Sequence, residues 1–181
     1  MSHVPALQFT YQDYLLLPED KRYEIIDGDL LMTPAPTTYH QRVLGHLYRF
    51  LDDHVREHDL GEVLFAPCDV YLSETDIVQP DVLYVSKARL GILEEKYVRG
   101  APDLTIEVFE KATAARDRVL KAKLYAKYGV KEYWLVDLLA KSVEVLLNAE
   151  TGFERQALFS ASEILRSSLL PQLRIPLADV F

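Results

Sequence analysis

Residues 102–110, PDLTIEVFE, alternate between apolar and polar side chains with the period of two residues that a half-buried β-strand shows. Leu104, Ile106 and Val108 make up the apolar side of this predicted strand, and Glu107 lies in the middle of its polar side. Glutamate is uncommon in strands and is rarely buried without a partner. The pattern therefore leaves two interpretations open: the polar side faces water, or the strand presents a carboxylate to a metal ion.

The chain before this strand shows signals for a short helix, a hairpin and a longer helix. Residues 9–17 favour a short helix that ends before a proline. The apolar arms of residues 22–32 flank an Asp-Gly pair, which is the strongest short signal for a β-hairpin. The threonines at 37 and 38 suit the cap of a helix that runs to about His58. Three strands are predicted next, near residues 62–66, 68–73 and 77–85.

The chain after residue 110 predicts a crossover helix and a hairpin. The helix is expected from about Thr113 to Tyr128, ending at a glycine suited to be its C-cap, and a strand follows at residues 130–137. A strand–helix–strand unit over residues 103–137 usually pairs its two strands in parallel. The arms SVEVLL and FERQAL flank a polar turn and predict a closing hairpin. We therefore expect one α/β domain over residues 1–181, with a mixed sheet and one crossover helix.

Composition and charge narrow the function classes. The 181 residues fit one domain with a sizeable core. The formal net charge of −8 argues against a protein that coats nucleic acid non-specifically, although acidic metal ligands and a local basic surface can coexist in one chain. No apolar run approaches the roughly 18 residues of a membrane span, and the N-terminus lacks the layout of a secretory signal. With Cys68 as the single cysteine, we expect a cytoplasmic protein without membrane contact.

A second acidic position lies in IVQPDVLYV, residues 77–85. Alternation places Gln79 and Asp81 on one side of this predicted strand, while Pro80 indicates an edge, a bulge or a strand start, where side chains are often redirected. Asp81 and Glu107 are thus two carboxylates on the polar sides of two strands, and Mg²⁺ prefers oxygen ligands of this kind. The spacing is equally compatible with two acids that only face solvent.

Basic residues concentrate between residues 111 and 131, where seven lysines and arginines accompany one acid. A solvated helix face is the simplest explanation of such a run. On the predicted helix, however, Lys121 shares a side with Asp117 and Tyr125 and so points partly toward the sheet. The sequence leaves open whether Lys121 only forms an i, i+4 ion pair with Asp117, worth a few tenths of a kcal/mol, or places a cation beside the carboxylates.

The ordered combination of these motifs resembles the Uma family of restriction endonucleases, long regarded as a domain of unknown function within the PD-(D/E)XK nuclease superfamily. The resemblance begins at YEIIDGDL (residues 23–30), continues through QPD and a strand ending in IEV, and runs to EYWLVD (residues 132–137). It implies a restriction-endonuclease-like α/β core, in which helices flank a central mixed β-sheet. It also implies metal-dependent hydrolysis of nucleic-acid phosphodiester bonds, and we expect the substrate to be DNA.

The resemblance assigns superfamily positions to residues of this chain. Asp81 matches the aspartate of the PD motif, and Glu107 matches the acidic residue of (D/E)XK. The superfamily's lysine would fall on residue 109, which is Phe109 here, and Lys121 matches the helix position to which the family's lysine has moved. Where the family often has Ser-Pro after the strand, this chain has Glu110-Lys111.

The resemblance also implies roles for these residues. A bound Mg²⁺ or Mn²⁺ would be held by Asp81, Glu107 and the backbone carbonyl of Val108, and would make its bound water a better nucleophile. Lys121 would orient that water or stabilise developing charge, and Glu24 of the YE-x-x-DG hairpin would bind a second metal ion or its water. The remaining expected contributors are Gln79, His40, Asp117 and Tyr125, which would support the ligands from behind, and Arg116 and Lys123, which would bind nucleic acid.

Two rival function classes remain. In the first, the chain keeps the nuclease fold but is catalytically weak and acts as a nucleic-acid-binding or regulatory module, a possibility that Phe109 and Glu110-Lys111 favour. In the second, it is an oligomeric scaffold whose acids are merely solvated. Because nucleases that cut both strands are commonly two-fold dimers, we expect a homodimer or a higher homo-oligomer.

Overall fold

The computed structural model describes residues 8–18, 20–110 and 116–181, with the side chains of all of these except 116 and 117. Within these ranges the α-helices are α1 (Tyr11–Tyr14), α2 (Thr38–Glu57) and α3 (Ala122–Tyr128). Shorter 3₁₀ turns occupy Lys87–Ile92 and Leu177–Asp179, and a π-helical turn occupies Arg116–Lys121. The strands are β1 (Arg22–Ile26), β2 (Asp29–Thr33), β3 (Gly61–Phe65), β4 (Val70–Ser73), β5 (Asp76–Val78), β6 (Val82–Ser86), β7 (Val98–Arg99), β8 (Leu104–Phe109), β9 (Glu132–Asp137), β10 (Ser142–Ala149), β11 (Gly152–Ser160), β12 (Ile164–Leu165) and β13 (Ile175–Pro176).

The predicted N-terminal hairpin is confirmed. β1 and β2 pair antiparallel, and Asp27 and Gly28 connect them with φ angles of 51° and 83°. Both residues are left-handed, as the two-residue turn that matches the twist of a hairpin requires. Because side chains alternate along a strand, this register places Arg22 and Glu24 on the same side of β1.

The two longer predicted helices differ in outcome. α2 is confirmed: the Thr37 hydroxyl accepts the N–H of His40 at 3.2 Å, and the helix ends at Glu57 with His58 as its C-cap. The expected start of the second helix, Thr113, lies outside the described residues. Its described part is a π-helical turn followed by α3, so an uninterrupted α-helix up to Tyr128 is wrong. Such π-turns occur frequently at functional sites.

A mixed six-stranded sheet forms the centre of the fold, in the order β11-β10-β9-β8-β6-β3. β8 and β9 pair in parallel, as the strand–helix–strand pattern predicts, and the other neighbours pair antiparallel. The predicted hairpin of SVEVLL and FERQAL is β10–β11. A second sheet has five strands in the order β2-β1-β5-β4-β7.

The single strand predicted over residues 77–85 is wrong. The chain forms two strands there, and they belong to different sheets: β5 pairs with β1 and β4, whereas β6 pairs with β3 and β8. Pro80 lies in the break and has no N–H to donate to a ladder. Gln79, Pro80 and Asp81 therefore lie at the point where the chain passes from one sheet to the other.

Both faces of the central sheet are covered, which corrects the expectation of a half-buried β8. Ile106 and Val108 pack with the apolar stripe of α2 on one face, and the stripe consists of Val43, Leu44, Leu47, Leu51 and Val55. Phe109, on the other face, packs with α3 and with residues of the five-stranded sheet. Every residue of β8 is buried, including Thr105 and Glu107. The polar side of the predicted strand thus faces the interior of the protein and not bulk water.

The C-terminal segment completes the core beside α2 and the sheet. Its two short strands, β12 and β13, pair with each other, so the β10–β11 hairpin is not the closing element. Glu132, which is fully buried at the start of β9, accepts the backbone N–H groups of Ser168 and Leu169 at 3.0 Å each. None of the helices within the described ranges has the length and apolar character needed to cross a membrane.

Candidate active site

A buried lysine links two buried glutamates between the two sheets. Lys121 Nζ lies 2.9 Å from Glu24 Oε1 and 2.8 Å from Glu107 Oε1. The side chains of Lys121, Glu24 and Glu107 are only 2%, 1% and 5% exposed. The alternative of a solvated Lys121 on a helix surface is therefore wrong. On the polar side of its strand, Glu107 therefore faces a buried ammonium group and not water.

Two further donors fix the glutamates. The Tyr125 hydroxyl donates to Glu107 Oε1 at 2.7 Å, and the backbone N–H of Gln79 donates to Glu24 Oε1 at 2.9 Å. Burial, followed by the charge of Glu107, raises the pKa of Tyr125 well above its usual value of 10.0. Tyr125 therefore remains a hydrogen-bond donor throughout the physiological pH range.

Local structure explains how Lys121 reaches Glu107 from another element. Glu107 and Phe109 lie on the same side of β8, and Phe109, at the position where the resemblance would place a lysine, is only 2% exposed. Lys121 ends the π-helical turn directly before α3, whose residues Leu124 and Tyr125 are buried against this face. The cation thus enters from the crossover connection, as the helix-wheel argument predicts.

Asp81 and His40 bind the backbone of β8 where the β6 ladder stops. The paired register of β6 and β8 runs from Tyr84↔Leu104 to Val82↔Ile106. Beyond it, Asp81 Oδ2 accepts the N–H of Val108 at 2.8 Å, and His40 Nε2 donates to the Val108 carbonyl at 2.8 Å. The side chains of Asp81 and His40 therefore take the place of a backbone strand partner at Val108. Pro80 does not supply that partner because it has no N–H.

His40 is held by the same two groups that the resemblance assigns to a metal ion. Its Nε2 lies 3.2 Å from Asp81 Oδ2 as well as 2.8 Å from the Val108 carbonyl. Because a carbonyl only accepts, this nitrogen carries the proton. Burial alone lowers the pKa of His40, but the hydrogen bond and charge of Asp81 and the Val108 carbonyl outweigh it and raise the pKa above 6.5.

These groups share one cavity of about 250 Å³. Its floor carries Lys121, Glu107, Val108, Asp81 and His40, and Glu24 lies behind Lys121. Its mouth is formed by the segment that joins the hairpin to α2, together with Arg22 and Glu110. The Thr37 hydroxyl donates to Glu110 Oε1 at 2.8 Å, so the residue that replaces the family's serine is bound to the start of α2. The lining residues are Arg22, Thr33, Pro34, Ala35, Pro36, Thr37, His40, Gln79, Asp81, Glu107, Val108, Glu110 and Lys121.

The oxygen donors in the cavity fit a hard divalent cation. Asp81, Glu107 and the Val108 carbonyl all line it, and Asp81 Oδ1 makes no hydrogen bond to any described residue. Within the described part of the chain, no three histidine, cysteine, aspartate or glutamate side chains form a metal-binding group. The fit consequently rests on two carboxylates and one carbonyl, and Mg²⁺ is commonly bound by one or two carboxylates with water and substrate phosphate.

The basic run outside the cavity is largely occupied by ion pairs. Arg118 pairs with Glu144 at 2.5 Å, Lys127 with Asp76 at 3.3 Å, and Lys131 with Asp103 at 2.7 Å. Lys123 is exposed, whereas the side chains of Arg116 and Asp117 lie outside the described part of the structure. The expected roles of these three residues stay predictions.

Arg22, which lines the cavity, and the residues behind it, Asp69 and Tyr14, are absent from the sequence-based predictions. Arg22 Nε donates to Gln79 Oε1 at 2.9 Å, and Gln79 Nε2 donates to Asp69 Oδ1 at 2.7 Å and to the Tyr14 hydroxyl at 3.1 Å. Gln79 contacts Glu24 through its backbone N–H and Arg22 through its side chain, and its expected role in supporting metal ligands stays a prediction. The available signal was the spacing of Arg22 and Glu24, which places both on one side of β1.

Comparisons with known proteins identify the family and the fold. The family model described as "Uma2: Putative restriction endonuclease" matches residues 11–178. The structure is similar to that of a protein from Anabaena variabilis, described as a putative nuclease belonging to DUF820, with 19% sequence identity and a TM-score of 0.79. That alignment covers 96% of this chain and 97% of the other. At this identity the likeness concerns the fold, and it confirms the expected fold class. No curated protein matches the chain.

Proposed function

The chain belongs to the Uma2 family of restriction-endonuclease-like proteins, and from that premise we propose that it is a Mg²⁺- or Mn²⁺-dependent endonuclease that hydrolyses phosphodiester bonds of DNA. The observation that supports this most directly is the buried cation at the cavity floor. A lysine that is 2% exposed, bound to two glutamates beside Asp81, is costly to maintain unless the charges have a use. Buried charges that meet in a cavity are candidates for a functional site.

The residues that would hold the metal ion are Asp81, Glu107 and the carbonyl of Val108. When bound there, a divalent ion would lower the pKa of water and offset negative charge on the phosphate. Lys121 is held by two carboxylates, so its ammonium group is already oriented and supplies positive charge beside the reacting phosphate. Tyr125 fixes Glu107 Oε1 from behind, and His40 orients Asp81 and the Val108 carbonyl.

Nucleic-acid cleavage by matched variants tests this proposal. Supercoiled plasmid and single-stranded DNA are incubated with Mg²⁺ or Mn²⁺, and nicked or shortened products are measured. Glu107→Gln keeps the volume of the side chain but removes its charge, so we expect the rate to fall about a hundredfold or more. Glu62→Gln, an exposed change in β3 with the same effect on net charge, is the control and should cut as wild type does.

Metal binding provides an independent measurement. Titration calorimetry with Mn²⁺ should show binding to the wild type and much weaker binding to Asp81→Asn. Equal cleavage by Glu107→Gln and wild type would show that the cavity is not the active centre. DNA binding without cleavage under any metal condition would instead favour the catalytically weak binding module.

The same proposal assigns Arg116 and Lys123 to the nucleic-acid surface. Reversing both charges should weaken DNA binding and flatten its salt dependence, because each phosphate contact contributes to the salt slope. An unchanged slope in that double variant would place the contact surface elsewhere. A homodimer or higher homo-oligomer stays part of the proposal, since cutting both strands is commonly done by two-fold dimers.

A further inference from the structure

Arg22 is a cation in the cavity whose charge is not neutralised by any residue in the described part of the chain. Its Nε donates to Gln79 Oε1 at 2.9 Å, and its terminal nitrogens make no hydrogen bond or ion pair with any described residue. The side chain is half-buried and lines the cavity together with Asp81, Glu107 and Lys121. Unlike Lys121, it forms no ion pair with a carboxylate of the described residues.

The orientation of the Gln79 amide explains why the charge of Arg22 is not neutralised by Asp69. Gln79 Nε2 lies 2.7 Å from Asp69 Oδ1, and a carboxylate only accepts, so this end of the amide must be the NH₂ group. The Tyr14 hydroxyl donates to the same Asp69 oxygen at 2.8 Å. The amide oxygen therefore has to face Arg22. Gln79 holds the arginine in place through a neutral group and separates it from the negative charge of Asp69.

Thr33 adds an unused donor next to this arginine. Thr33 lies directly opposite Arg22 in the β1–β2 register and also lines the cavity. Directly opposite residues of an antiparallel pair have Cβ atoms about 4.5–5.5 Å apart on the same face. The Thr33 hydroxyl is buried and has no hydrogen-bond partner among the described residues. A buried hydroxyl without a partner is costly, and an anion seated beside Arg22 would satisfy it.

From these contacts we infer that Arg22 and Thr33 form a phosphate-binding site at the cavity mouth, which holds a backbone phosphate of the nucleic-acid strand next to the one that is cut. The inference rests on the proposed function for the identity of the ligand. An arginine suits this task because its planar, forked donors match phosphate oxygens, and its fixed Nε leaves the two terminal NH₂ groups for the ligand. The Cα atoms of Arg22 and Glu24, which are two residues apart in β1, are separated by about 7 Å.

Binding of DNA by the metal-free protein tests the site without cleavage. Fluorescence anisotropy is measured with a labelled duplex and a labelled single strand over a range of salt concentrations. Arg22→Met should weaken binding about tenfold, the size expected of a charge-assisted hydrogen bond. It should also reduce the slope of log K against log salt by roughly 0.9 for the duplex and 0.7 for the single strand. Arg22→Lys should retain most of the slope but not the affinity.

Two further variants separate a ligand site from a structural role. Thr33→Val replaces the hydroxyl with a methyl group of similar size, so it should weaken DNA binding while leaving the melting temperature unchanged or higher. If the hydroxyl had a structural role, its loss would instead lower the melting temperature. Arg166→Met, at an exposed position away from the cavity, removes the same charge and is the control; it should bind DNA as wild type does.

The outcomes distinguish this inference from the proposed function. If wild type cuts DNA and Arg22→Met binds no differently from Arg166→Met, the phosphate site is refuted and the nuclease stands. If binding depends on Arg22 and Thr33 but nothing is cut, the nuclease fails and the phosphate site stands. If wild type binds neither duplex nor single strand, both are overturned.

Discussion

Replacing Lys121 with methionine should lower the stability of the protein strongly, although the helix position alone would suggest a minor effect. Methionine fills most of the space of the lysine stem but carries no charge. Glu24 and Glu107, which both contact Lys121 Nζ in the native structure, would then remain buried without the cation between them. The change therefore creates little empty volume and tests the charge alone.

The expected magnitude follows from the burial of the three side chains, which are 2%, 1% and 5% exposed. Removing one partner of a buried ion pair typically costs about 3–5 kcal/mol, because the other charge is left uncompensated. Total stabilities of natural domains are about 5–15 kcal/mol. The substitution should thus remove a large fraction of the free energy of unfolding. Neutralising one glutamate as well, in Lys121→Met with Glu24→Gln, should restore part of the loss because one buried charge is gone.

Urea unfolding measures this effect. Trp134, the single tryptophan, is fully buried, so its fluorescence reports loss of the core, and far-ultraviolet circular dichroism gives an independent signal. An unchanged m-value would show that the midpoint shift reflects stability. Lys123→Met, the neighbouring exposed lysine, is the control and should unfold as wild type does. A loss below about 0.5 kcal/mol for Lys121→Met, the size of an ordinary surface change, would refute the reasoning.

Two further predictions concern stability. Burial raises the pKa of Asp76, but the hydrogen bonds from Tyr128 and other donors outweigh burial and lower the pKa below 3.8. The contribution of the Asp76 carboxylate to the free energy of unfolding is therefore present above pH 3.8 and is lost as the pH falls through the lowered pKa. Asp76→Asn should therefore be less stable than wild type at neutral pH, and the difference between their melting temperatures should shrink in acid. A difference that stays constant from neutral to acid pH would contradict this. Gly61→Ala should cost about 3 kcal/mol, since Gly61 has a φ of +146° and an added Cβ would lie 2.1 Å from the carbonyl of Val85. Gly45→Ala in α2, with nothing within 4 Å, is its control and should raise the melting temperature slightly; equal melting temperatures for the two variants would show that Gly61 is not required.

Local signals in the sequence predicted most of the elements. The Asp27-Gly28 pair fixes the first hairpin because its two left-handed residues match the twist of the strands. The strand–helix–strand pattern predicts the parallel pairing of β8 and β9 because such a crossover seldom connects antiparallel neighbours. The inward position of Lys121 also followed from helix periodicity, since one side of the helix is apolar.

Long-range contacts explain what the sequence did not predict. Alternation in β8 shows which side Glu107 is on, but it carries no information about a second sheet covering that side. The break at Pro80 has a local cause, yet its effect, two strands in two different sheets, depends on partners far away in the chain. The support of Arg22 combines Tyr14, Asp69 and Gln79 from three separate segments, and no periodicity connects them.

Four charged residues around the cavity floor come from separate segments of the chain. In sequence order they are Glu24, Asp81, Glu107 and Lys121. Contacts between residues so distant in sequence form late, because the entropy of closing large loops opposes them until the rest of the fold compensates. A chain that has left the ribosome only as far as β8 carries both glutamates but not the lysine that joins them. On the proposed function, such a chain cannot cut nucleic acid until Lys121 has been synthesised and the crossover connection has folded back onto β8.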